Sequence, residues 1–580
     1  MSDTNLSIPM TFPTNQKELK LLGWGQCDII LVSGDAFVDH PSFGIAVIAR
    51  VLESKGFKVG IIPQPNWKDD LRDFKKLGTP RLFFGVSSGN MDSMVNHYTA
   101  HKRLRSDDAY TPAGKAGFRP DYALTIYGRI LKDIFPETPV VIGGIEASLR
   151  RIVHYDYWSD QLKPSVLADS KADMMVYGMA EKAIVRLARQ IQEGKAIQDI
   201  VDIPQTAWIS STIDSSTTSN HIVLQPYKSC LESKNVFSET FKIFEEESNK
   251  LIQQGFVQEQ SASEFLIMNP PFPPPTEREM DEIYHLPFSR KPHPRYNSKD
   301  AIPAYDMIKD SVTIHRGCFG GCSFCALTVH QGKFISSRSE KSVLRELYQI
   351  AAMDGFKKHI SDLGGPSANM YRMSGINMRL CHQCKRSSCI FPAICPNLND
   401  NPKPLINLYE NASNIQHIKK ITIGSGIRYD IHINKKSKHF AAHTQYLEQL
   451  ISRHVSGKLK VAPEHSETSV LQHMRKPGFD SFIEFKNLFD RINTKHGLKQ
   501  ILIPYFISSH PGCTLQDMRN LKKKLDRQRV FPDQVQDFMP TPMTLSSVIY
   551  YSGYDPYSKN KVFVERILNL KRQQKGVFFD

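Results

Sequence analysis

The chain has 580 residues, too many for one hydrophobic core, so we expect two domains with connecting material. Hydrophobic residues make up 40% and charged residues 23%, as in an ordinary soluble globular protein, and no stretch reaches the apolar length that spans a bilayer. Lys and Arg outnumber Asp and Glu by 74 to 59, and the formal charge of +15 favours anionic partners, nucleic acid among them.

The cysteines indicate the compartment. Seven of the ten lie between Cys318 and Cys395, a clustering typical of metal ligation in a reducing environment rather than of a disulfide framework. Residues 1–10 are polar and lack the basic flank and apolar core of a signal peptide. The sequence therefore predicts a cytoplasmic protein that makes no membrane contact.

Residues 1–202 alternate between short apolar runs and amphipathic helical patterns. Strands are predicted at 27–32, 58–62, 81–86, 138–142 and 173–177, and helices at 43–56, 122–134 and 181–193. Continuous apolar strands in βα alternation predict a mostly parallel, doubly wound sheet, and we interpret this region as a flavodoxin-like α/β domain.

Carboxylates and glycines gather where these strands end, for example at Asp35, Asp39, Asp92 and Glu146. Turn chemistry explains the glycines but not the concentration of carboxylates. Ligands of doubly wound sheets bind beyond the carboxyl ends of the strands, so we expect this rim to bind a ligand.

Residues 203–300 have a different character. Residues 210–219 are rich in Ser and Thr, residues 270–275 form a proline run, and a charged helix is predicted at about 239–254. Thr276 and Glu279 have the spacing of a capping box. This pattern favours a linker that contains helical segments and a proline-rich strap.

Residues 301–545 return to regular βα alternation. Strands are predicted at 312–315, 359–363, 420–423, 458–461, 500–507 and 534–538, and helices at 341–352, 439–451, 482–491 and 515–526. This order predicts a partial (βα)6 barrel, followed by a C-terminal extension at 546–580. Barrel enzymes place their chemistry at the carboxyl ends of the strands, where the candidate catalytic residues are Arg428, Asp430, Glu464, His465 and His510.

A glycine-rich loop with three cysteines follows the first barrel strand. Cys318, Cys322 and Cys325 have a C-x3-C-x2-C spacing, with Phe324 directly before the third cysteine. Four thiolates saturate an iron–sulfur cube or a zinc ion, whereas three leave one iron of a cube open to a substrate or cofactor. The spacing resembles the signature of the radical S-adenosylmethionine (SAM) superfamily, with a zinc knuckle as the alternative.

A second group of four cysteines forms an insertion in the barrel at 381–395. Cys381, Cys384, Cys389 and Cys395 have a C-x2-C-x4-C-x5-C spacing, and His382 could replace one thiol. Four close thiols suit a tetrahedral zinc ion or a second iron–sulfur cluster, and the spacing does not distinguish the two.

Several segments resemble the YgiQ-type radical SAM protein family. They include VDHPSFG at 38–44, GNMDSMVN at 89–96, GGIEASLRR at 143–151 and HYDYW at 154–158, as well as 425–430, 461–465 and 505–513. The resemblance covers nearly the whole chain. It implies radical SAM chemistry without specifying a reaction.

The resemblance also implies how cofactors are bound. The three cysteines of the first group would hold a [4Fe–4S] cluster, and the amino and carboxylate groups of SAM would bind its open iron. Phe324 would lie beside the adenine, and Gly364 and Gly365 would bind the methionine amino group. Pro366 stands where the motif usually ends in Glu, so Asp362 or Ser367 would serve instead.

The order of a flavodoxin-like domain and then a barrel resembles cobalamin-binding members of the superfamily. Their base-off signature places Asp and His two residues apart, whereas Asp39 and His40 are adjacent here. The sequence therefore argues against bound cobalamin.

The leading hypothesis is a radical SAM enzyme that cleaves SAM reductively and abstracts hydrogen from an unknown substrate. A flavodoxin- or ferredoxin-type partner would supply the electron, and the basic charge favours an anionic substrate. We further expect the N-terminal domain to cover the barrel, with Glu146 and Arg150 facing Arg428 and His465. The alternative is a non-catalytic, metal-stabilised nucleic-acid-binding protein, but no stretch interleaves aromatic and basic residues as that function requires.

Overall fold

The computed structural model describes residues 11–579, which fold as two compact units. The first unit comprises Met1–Ser233, Gln253–Phe272 and Glu282–Lys309, and the second comprises Lys234–Ile252, Pro273–Asp281 and Asp310–Asp580. Within residues 11–579, no helix has the length and apolarity to span a membrane. The interpretation of residues 1–10 as lacking a signal peptide lies outside the described part of the chain.

The first unit is built on a nine-stranded mixed sheet with two small accessory pairings, β2–β13 and β6–β7. Its strands are β1 (Ile29–Ser33), β2 (Val38–Asp39), β3 (Val59–Pro63), β4 (Phe83–Ser87), β5 (Val140–Gly143), β6 (His154–Asp156), β7 (Gln161–Lys163), β8 (Met174–Val176), β9 (Thr206–Ser210), β10 (His221–Val223), β11 (Gly255–Ser261), β12 (Glu264–Met268) and β13 (Lys291–Pro292). The order across the sheet is β10-β11-β12-β9-β8-β5-β4-β1-β3. The five strands β3, β1, β4, β5 and β8 run parallel.

Helices cover this sheet because its central strands are apolar on both faces. All five residues of β1 are buried, as expected for a strand between two helical layers. The α-helices of the unit are Gln16–Leu21, Gly44–Glu53, Arg72–Lys75, Ser93–His97, Ala123–Ile134, Gly144–Leu149, Val166–Ser170, Glu181–Gln192, Ser215–Asn220, Tyr227–Glu232 and Pro303–Ile308. Short 3-10 turns occupy Pro112–Gly114, Ile197–Asp199 and Pro294–Tyr296. The predicted strands and long helices of residues 1–202 are present, with ends that differ by a few residues.

The structure differs from the predicted linker at 203–300. Strands β9 to β12 lie in this range and extend the sheet, with β9 antiparallel to β8. The polar composition concealed β11, in which the buried side chains of Gln258 and Gln260 accept hydrogen bonds from Val153 N and Ser165 N instead of packing as apolar residues. The predicted capping box is present, because Glu279 N donates to Thr276 Oγ1 (3.3 Å) and Thr276 N to Glu279 Oε2 (2.9 Å) at the start of the helix Glu277–Tyr284.

The second unit contains short parallel strands with helices between them. Its strands are β14 (Ser311–Thr313), β15 (His315–Arg316), β16 (Ser336–Ser337), β17 (His359–Ile360), β18 (Asp362–Gly364), β19 (Ser374–Gly375), β20 (Leu398–Asn399), β21 (Lys420–Ile421), β22 (Lys458–Glu464), β23 (Ile501–Ser508) and β24 (Gln534–Asp537). Parallel pairs are β14–β18, β17–β21, β22–β23 and β23–β24. Each predicted barrel strand therefore has a counterpart.

The helices of the second unit enclose a large apolar core. They are Lys234–Ser248, Leu327–Gln331, Glu340–Ala351, Met378–His382, Lys403–Ser413, Tyr429–His432, Phe440–Arg453, Thr468–Met474, Phe479–Lys495, Leu515–Arg527, Leu545–Ser552 and Leu568–Gly576, with a 3-10 turn at Ala368–Met370. The core runs from Val312 and Ile314 on the first strand to Val535 on the last. Together the two units give a mixed α/β fold with a large, mostly parallel sheet.

The helix Lys234–Ser248 belongs to the second unit although it precedes most of it in the sequence. Its Glu245 accepts two hydrogen bonds from the guanidinium of Arg475, at 2.7 and 3.0 Å. Tyr557 also donates to Glu245 (2.6 Å). This helix is therefore held by residues that lie far along the chain.

Candidate active site

The three cysteines lie together on the loop between β15 and the helix Leu327–Gln331, which we call the three-cysteine loop (residues 317–326). Burial raises the pKa of Cys318, and it raises the pKa of Cys325 to about 12, with the neighbouring thiol of Cys322 adding to both shifts. Gly320 N donates to Cys318 Sγ (3.4 Å). A metal that binds here must displace the thiol protons.

Two glycines allow the three-cysteine loop to fold this tightly. Gly317 and Gly321 have φ angles of 85° and 60°, in the region that favours glycine. A Cβ on Gly317 would lie 2.1 Å from the carbonyl oxygen of Phe334, and one on Gly321 would lie 2.2 Å from that of Ser387. No other residue fits at either position, so the glycines are a requirement of the loop geometry.

Arg428 and Asp430 were predicted as site residues, and the structure brings both to the three-cysteine loop. Arg428 Nη1 lies 3.4 Å from Cys322 Sγ, and its Nε and Nη2 donate to the two carboxylate oxygens of Asp430 at 2.9 and 2.7 Å. Burial alone would lower the pKa of Arg428, but the adjacent Asp430 outweighs it and the pKa is raised. A permanent positive charge therefore faces the thiols.

Glu464 and Lys476 complete this buried set of charges. Glu464 Oε1 lies 3.6 Å from Lys476 Nζ, and burial raises the pKa of Glu464. Glu464 interacts electrostatically with Cys325, and Lys476 with Cys318. Lys476 was not predicted from the sequence. It follows a helix in a basic Arg-Lys pair, where a lysine is ordinarily exposed, and nothing local marks it as buried.

His510 holds Phe324 in place. Its ring lies edge-on to Phe324, and its Nε2 shares a hydrogen bond with Ser546 Oγ (2.7 Å). Ser546 Oγ donates in turn to Ser323 Oγ (2.8 Å), so the helix Leu545–Ser552 is tied to the three-cysteine loop. Burial lowers the pKa of His510 to about 3, and the imidazole is therefore neutral at physiological pH.

His465 has a different environment from the other candidates. Its Nδ1 accepts from Glu467 N (3.0 Å), and its Nε2 lies 3.5 Å from Cys513 Sγ. Burial lowers its pKa to about 4. The helix Leu568–Gly576 covers this pair, since Gln574 Nε2 donates to the carbonyl oxygen of Cys513 (3.2 Å). Its contacts are those of a packed histidine.

Gly364 and Gly365 end the second barrel strand in a crowded place. A Cβ on Gly364 would lie 2.6 Å from Ser425 Oγ, and one on Gly365 would lie 2.7 Å from the ring of His315. Asp362 accepts from Ser425 Oγ, from Ser425 N (3.0 Å) and from Gly424 N (2.8 Å). Asp362 therefore ties two neighbouring strand ends together, and the glycines make that close approach possible.

The four cysteines of the insertion also lie near one another. Cys389 interacts electrostatically with Cys381, Cys384 and Cys395, and burial raises its pKa to about 11. Lys333 lies among them, with Nζ 3.9 Å from Cys384 Sγ. Among residues 11–579, no three His, Cys, Asp or Glu side chains are already arranged around one ion position.

The predicted rim of the first unit is an internal network. Glu146 accepts from Ser93 N (2.8 Å), and Arg150 pairs with Asp92 (2.8 Å) and Asp156 (3.1 Å). Glu146 and Arg150 are buried, at 0% and 2% exposure. These charges are offset by internal partners.

Asp35 and Asp39 are likewise paired inside the first unit. Arg119 Nη2 lies 2.9 Å from Asp35 Oδ1, and Arg50 Nη2 lies 2.6 Å from Asp39 Oδ2. Burial raises the pKa of Asp35 to about 6. The concentration of carboxylates that suggested a ligand site therefore has a structural explanation.

A mixed α/β chain with three partly buried thiols on a glycine-rich loop has the features of a radical SAM protein. The profile of the family described as "Radical SAM N-terminal" matches residues 11–311, which is more than half of the chain, and a domain of unknown function, DUF3362, matches residues 533–577. The chain is therefore a radical SAM enzyme with an unspecified reaction, and SAM is its partner. This result does not favour the nucleic-acid-binding alternative.

Comparison with related sequences identifies the family more narrowly. A UPF0313 protein of Bacteroides thetaiotaomicron is 51% identical over 580 residues, covering 98% of this chain and 93% of the relative. UPF0313 proteins of Porphyromonas gingivalis and Methanocella arvoryzae are 50% and 45% identical over 98% and 97% of this chain, and over 90% and 91% of their own lengths. The chain belongs to the UPF0313 family. This is the YgiQ family, so the resemblance is confirmed.

Two solved structures match most of this chain at low similarity. The radical SAM methyltransferase TsrM from Kitasatospora setae, with cobalamin and a [4Fe–4S] cluster bound, gives a TM-score of 0.48 at 15% identity, covering 89% of this chain and 77% of that one. The cobalamin-dependent radical enzyme OxsB, with aqua-cobalamin bound, gives 0.48 at 12% identity, covering 88% and 53%. The argument against cobalamin is corrected by these two structures, since both are described with it. At these scores they assign no ligand or residue to this chain.

Proposed function

We propose that this radical SAM enzyme binds a [4Fe–4S] cluster at Cys318, Cys322 and Cys325. Such a cluster, with SAM at its open iron, supplies the electron that splits SAM into methionine and a 5′-deoxyadenosyl radical able to remove hydrogen from a substrate. The observation that carries the proposal is three partly buried thiols beside two buried cations, Arg428 and Lys476. A cluster with three thiolates is anionic. The positive charges of Arg428 and Lys476 offset this negative charge.

The neighbouring residues suit the rest of this role. Asp430 fixes the direction of the Arg428 guanidinium, and Glu464 is a carboxylate near the thiols whose pKa is raised by burial. The ring of Phe324, braced by His510, offers an apolar surface for the adenine of SAM. We propose Arg428, Asp430 and Glu464 as the residues that act nearest to the reacting groups.

We further propose that the backbone at Gly364 and Gly365 receives the amino group of SAM. The carboxylate of Asp362 accepts from Gly424 N and Ser425 N, which favours a structural role for it over that of the missing Glu. The backbone of the two glycines is what this segment offers to the ligand. Ser367 contributes differently, since its carbonyl oxygen accepts from His315 (2.9 Å).

The architecture supports the finer fold assignments. Numbered along the chain, the parallel strands of the first unit have the order 2-1-3-4-5 across the sheet, which is the flavodoxin-like order. In the second unit, the parallel pairs join strands that follow one another, as in an open (βα)6 barrel. We propose that a flavodoxin- or ferredoxin-type protein supplies the electron in the cytoplasm, and that the substrate is anionic because the chain carries a net charge of +15.

The test is anaerobic reconstitution followed by electron paramagnetic resonance (EPR). We expect about four irons at the first site and a spectrum that changes when SAM is added. Replacing all three cysteines (C318S/C322S/C325S) should abolish the signal that responds to SAM. Cys230→Ser, a buried cysteine of the first unit, is the matched control and should retain it. An unchanged SAM response in the triple variant would contradict the assignment.

A further inference from the structure

The insertion with four cysteines begins and ends at neighbouring strands. β19 and β20 pair antiparallel on either side of it, so residues 376–397 leave and re-enter the unit at one place. Within it, Cys384 N donates to the carbonyl oxygen of Cys381 (3.3 Å), and Cys395 N donates to that of Cys389 (2.7 Å). The chain therefore returns on itself twice, and each turn carries two of the thiols.

A buried lysine lies among these thiols. Lys333 is 4% exposed, and its Nζ donates to the carbonyl oxygen of Arg386 (2.5 Å), with the carbonyl oxygen of Asn249 at 3.5 Å and Cys384 Sγ at 3.9 Å. It also interacts electrostatically with Cys381 and Cys389. Among the described residues, no carboxylate accepts a hydrogen bond from the Lys333 ammonium.

A buried ammonium needs a negative partner, because removing a charge from water is unfavourable unless an opposite charge compensates for it. The thiols are the remaining groups around Lys333 that can carry that charge. They carry it when they are thiolates, and a bound metal is what keeps four close thiols deprotonated. A zinc ion and a [4Fe–4S]2+ cube each leave a double negative charge when held by four thiolates, so Lys333 offsets one of the two charges in either case.

We propose that Cys381, Cys384, Cys389 and Cys395 bind one metal centre as thiolates, with Lys333 as its buried counter-cation. On binding, each thiol releases its proton to solvent and forms one bond to the metal. The proposal does not depend on SAM chemistry at the first site.

The insertion is hydrogen-bonded to the three-cysteine loop, so a metal centre in the insertion could stabilise that loop. Ser388 Oγ donates to the carbonyl oxygen of Gly320 (2.8 Å), and Cys389 N donates to that of Phe319 (3.0 Å). Cys389 is thus both a ligand of the proposed centre and a support of the other loop. The metal would fix these donors and so hold the three-cysteine loop in shape.

The first test uses the full-length C318S/C322S/C325S variant, which removes the other thiol site. After anaerobic purification, elemental analysis should find about one zinc per chain, or about four irons with matching sulfide, and these two results distinguish zinc from a cluster. Adding Lys333→Met, which keeps the buried stem and removes the charge, should weaken metal retention against a chelator by about tenfold or more.

Lys385→Met is the matched control, since Lys385 lies in the same insertion but is exposed and pairs with Glu246 (3.0 Å). It should retain the metal as the parent does. The proposal is wrong if the folded C318S/C322S/C325S variant holds neither zinc nor iron, or if K333M and K385M lose metal equally.

A second measurement needs no new substitution and covers the case in which K333M does not fold. The C318S/C322S/C325S variant is treated with a thiol alkylating reagent before and after chelation, and the labelled peptides are mapped. We expect residues 381–395 to be protected until the metal is removed. Equal labelling before and after chelation would overturn the proposal.

Discussion

The imidazole of His510 stands edge-on to the ring of Phe324, with the two ring centroids 6.0 Å apart and the planes at 82°. Phe324 directly precedes a cysteine of the three-cysteine loop, whereas His510 follows the fifth barrel strand. The contact therefore fixes the orientation of a side chain at the proposed SAM site from a distant part of the sequence.

Replacing His510 by Ala should weaken SAM binding by roughly threefold to tenfold, because an aromatic pair of this geometry contributes about 0.5–1.5 kcal/mol. Equilibrium dialysis of the reconstituted protein measures the effect. His496→Ala, which changes a histidine paired with Glu448, is the control and should bind SAM normally. Equal affinity in the two variants would show that Phe324 needs no such support.

The buried His465 should make the protein less stable in acid. Its folded pKa is lowered to about 4, below the unfolded value near 6.5, so the unfolded state takes up the proton first as the pH falls. Its contribution is complete above the unfolded pKa and is lost progressively between the two values.

His465→Asn keeps an acceptor for Glu467 N but does not titrate. Between about pH 7.5 and pH 5, its free energy of unfolding should fall by roughly 2 kcal/mol less than that of the parent. Urea unfolding at the two pH values measures this difference. Parallel losses in both proteins would mean that His465 is already accessible to water when folded.

Arg428 and Asp430 should behave as one buried ion pair. Either R428Q or D430N leaves the other charge without its partner, so each should lower the free energy of unfolding by about 3–5 kcal/mol. The double variant removes both charges and should recover part of this loss. Urea unfolding of all four proteins completes the cycle. Losses that simply add would contradict a direct pairing.

Lys476→Met should shift the midpoint potential of the reconstituted cluster to a more negative value, because reduction adds an electron and the variant removes a nearby positive charge. A redox titration followed by EPR measures the shift. Lys495→Met, on the exposed face of the helix Phe479–Lys495, is the control and should leave the potential unchanged. A shift of the same size in both variants would place Lys476 outside the field of the cluster.

Gly89→Ala should destabilise the first unit. Gly89 has a φ of +108°, and a Cβ there would lie 2.0 Å from Asp35 Oδ1, so both strain and a clash result. We expect a loss of more than roughly 2 kcal/mol in the free energy of unfolding. Gly44→Ala is the control, since nothing lies within 4 Å of its Cβ position. Equal stability of the two variants would contradict the packing described for Asp35.

Prediction from the sequence succeeded where a residue pattern has only one structural explanation. Continuous apolar runs predicted the central strands, such as β1, because only a strand covered on both faces is apolar throughout. The spacing of Cys318, Cys322 and Cys325 predicted their grouping, since thiols only a few residues apart cannot separate far. Arg428 and Asp430 were found because strand ends in a barrel point to one face.

The failures come from contacts that no local pattern encodes. β11 and Lys333 show this in different ways. β11 was assigned to a linker because its buried glutamines satisfy their hydrogen bonds through distant residues. Lys333 was overlooked because its burial depends on an insertion that begins almost fifty residues later. The carboxylates of the rim were misread since Arg119 and Arg150, their partners, lie far from them in the sequence.

The contact between Glu245 and Arg475 sets an order of events during synthesis. The two residues are 230 positions apart, so the helix Lys234–Ser248 leaves the ribosome long before its partner is made. At about 5–20 residues per second, the wait is roughly 10–45 seconds. Throughout that time the helix exposes Phe237, Phe241 and Phe244, which are buried in the finished protein. The nascent chain therefore carries a helix with exposed aromatic side chains during this interval. A chaperone that recognises aromatic side chains could bind the helix in that time.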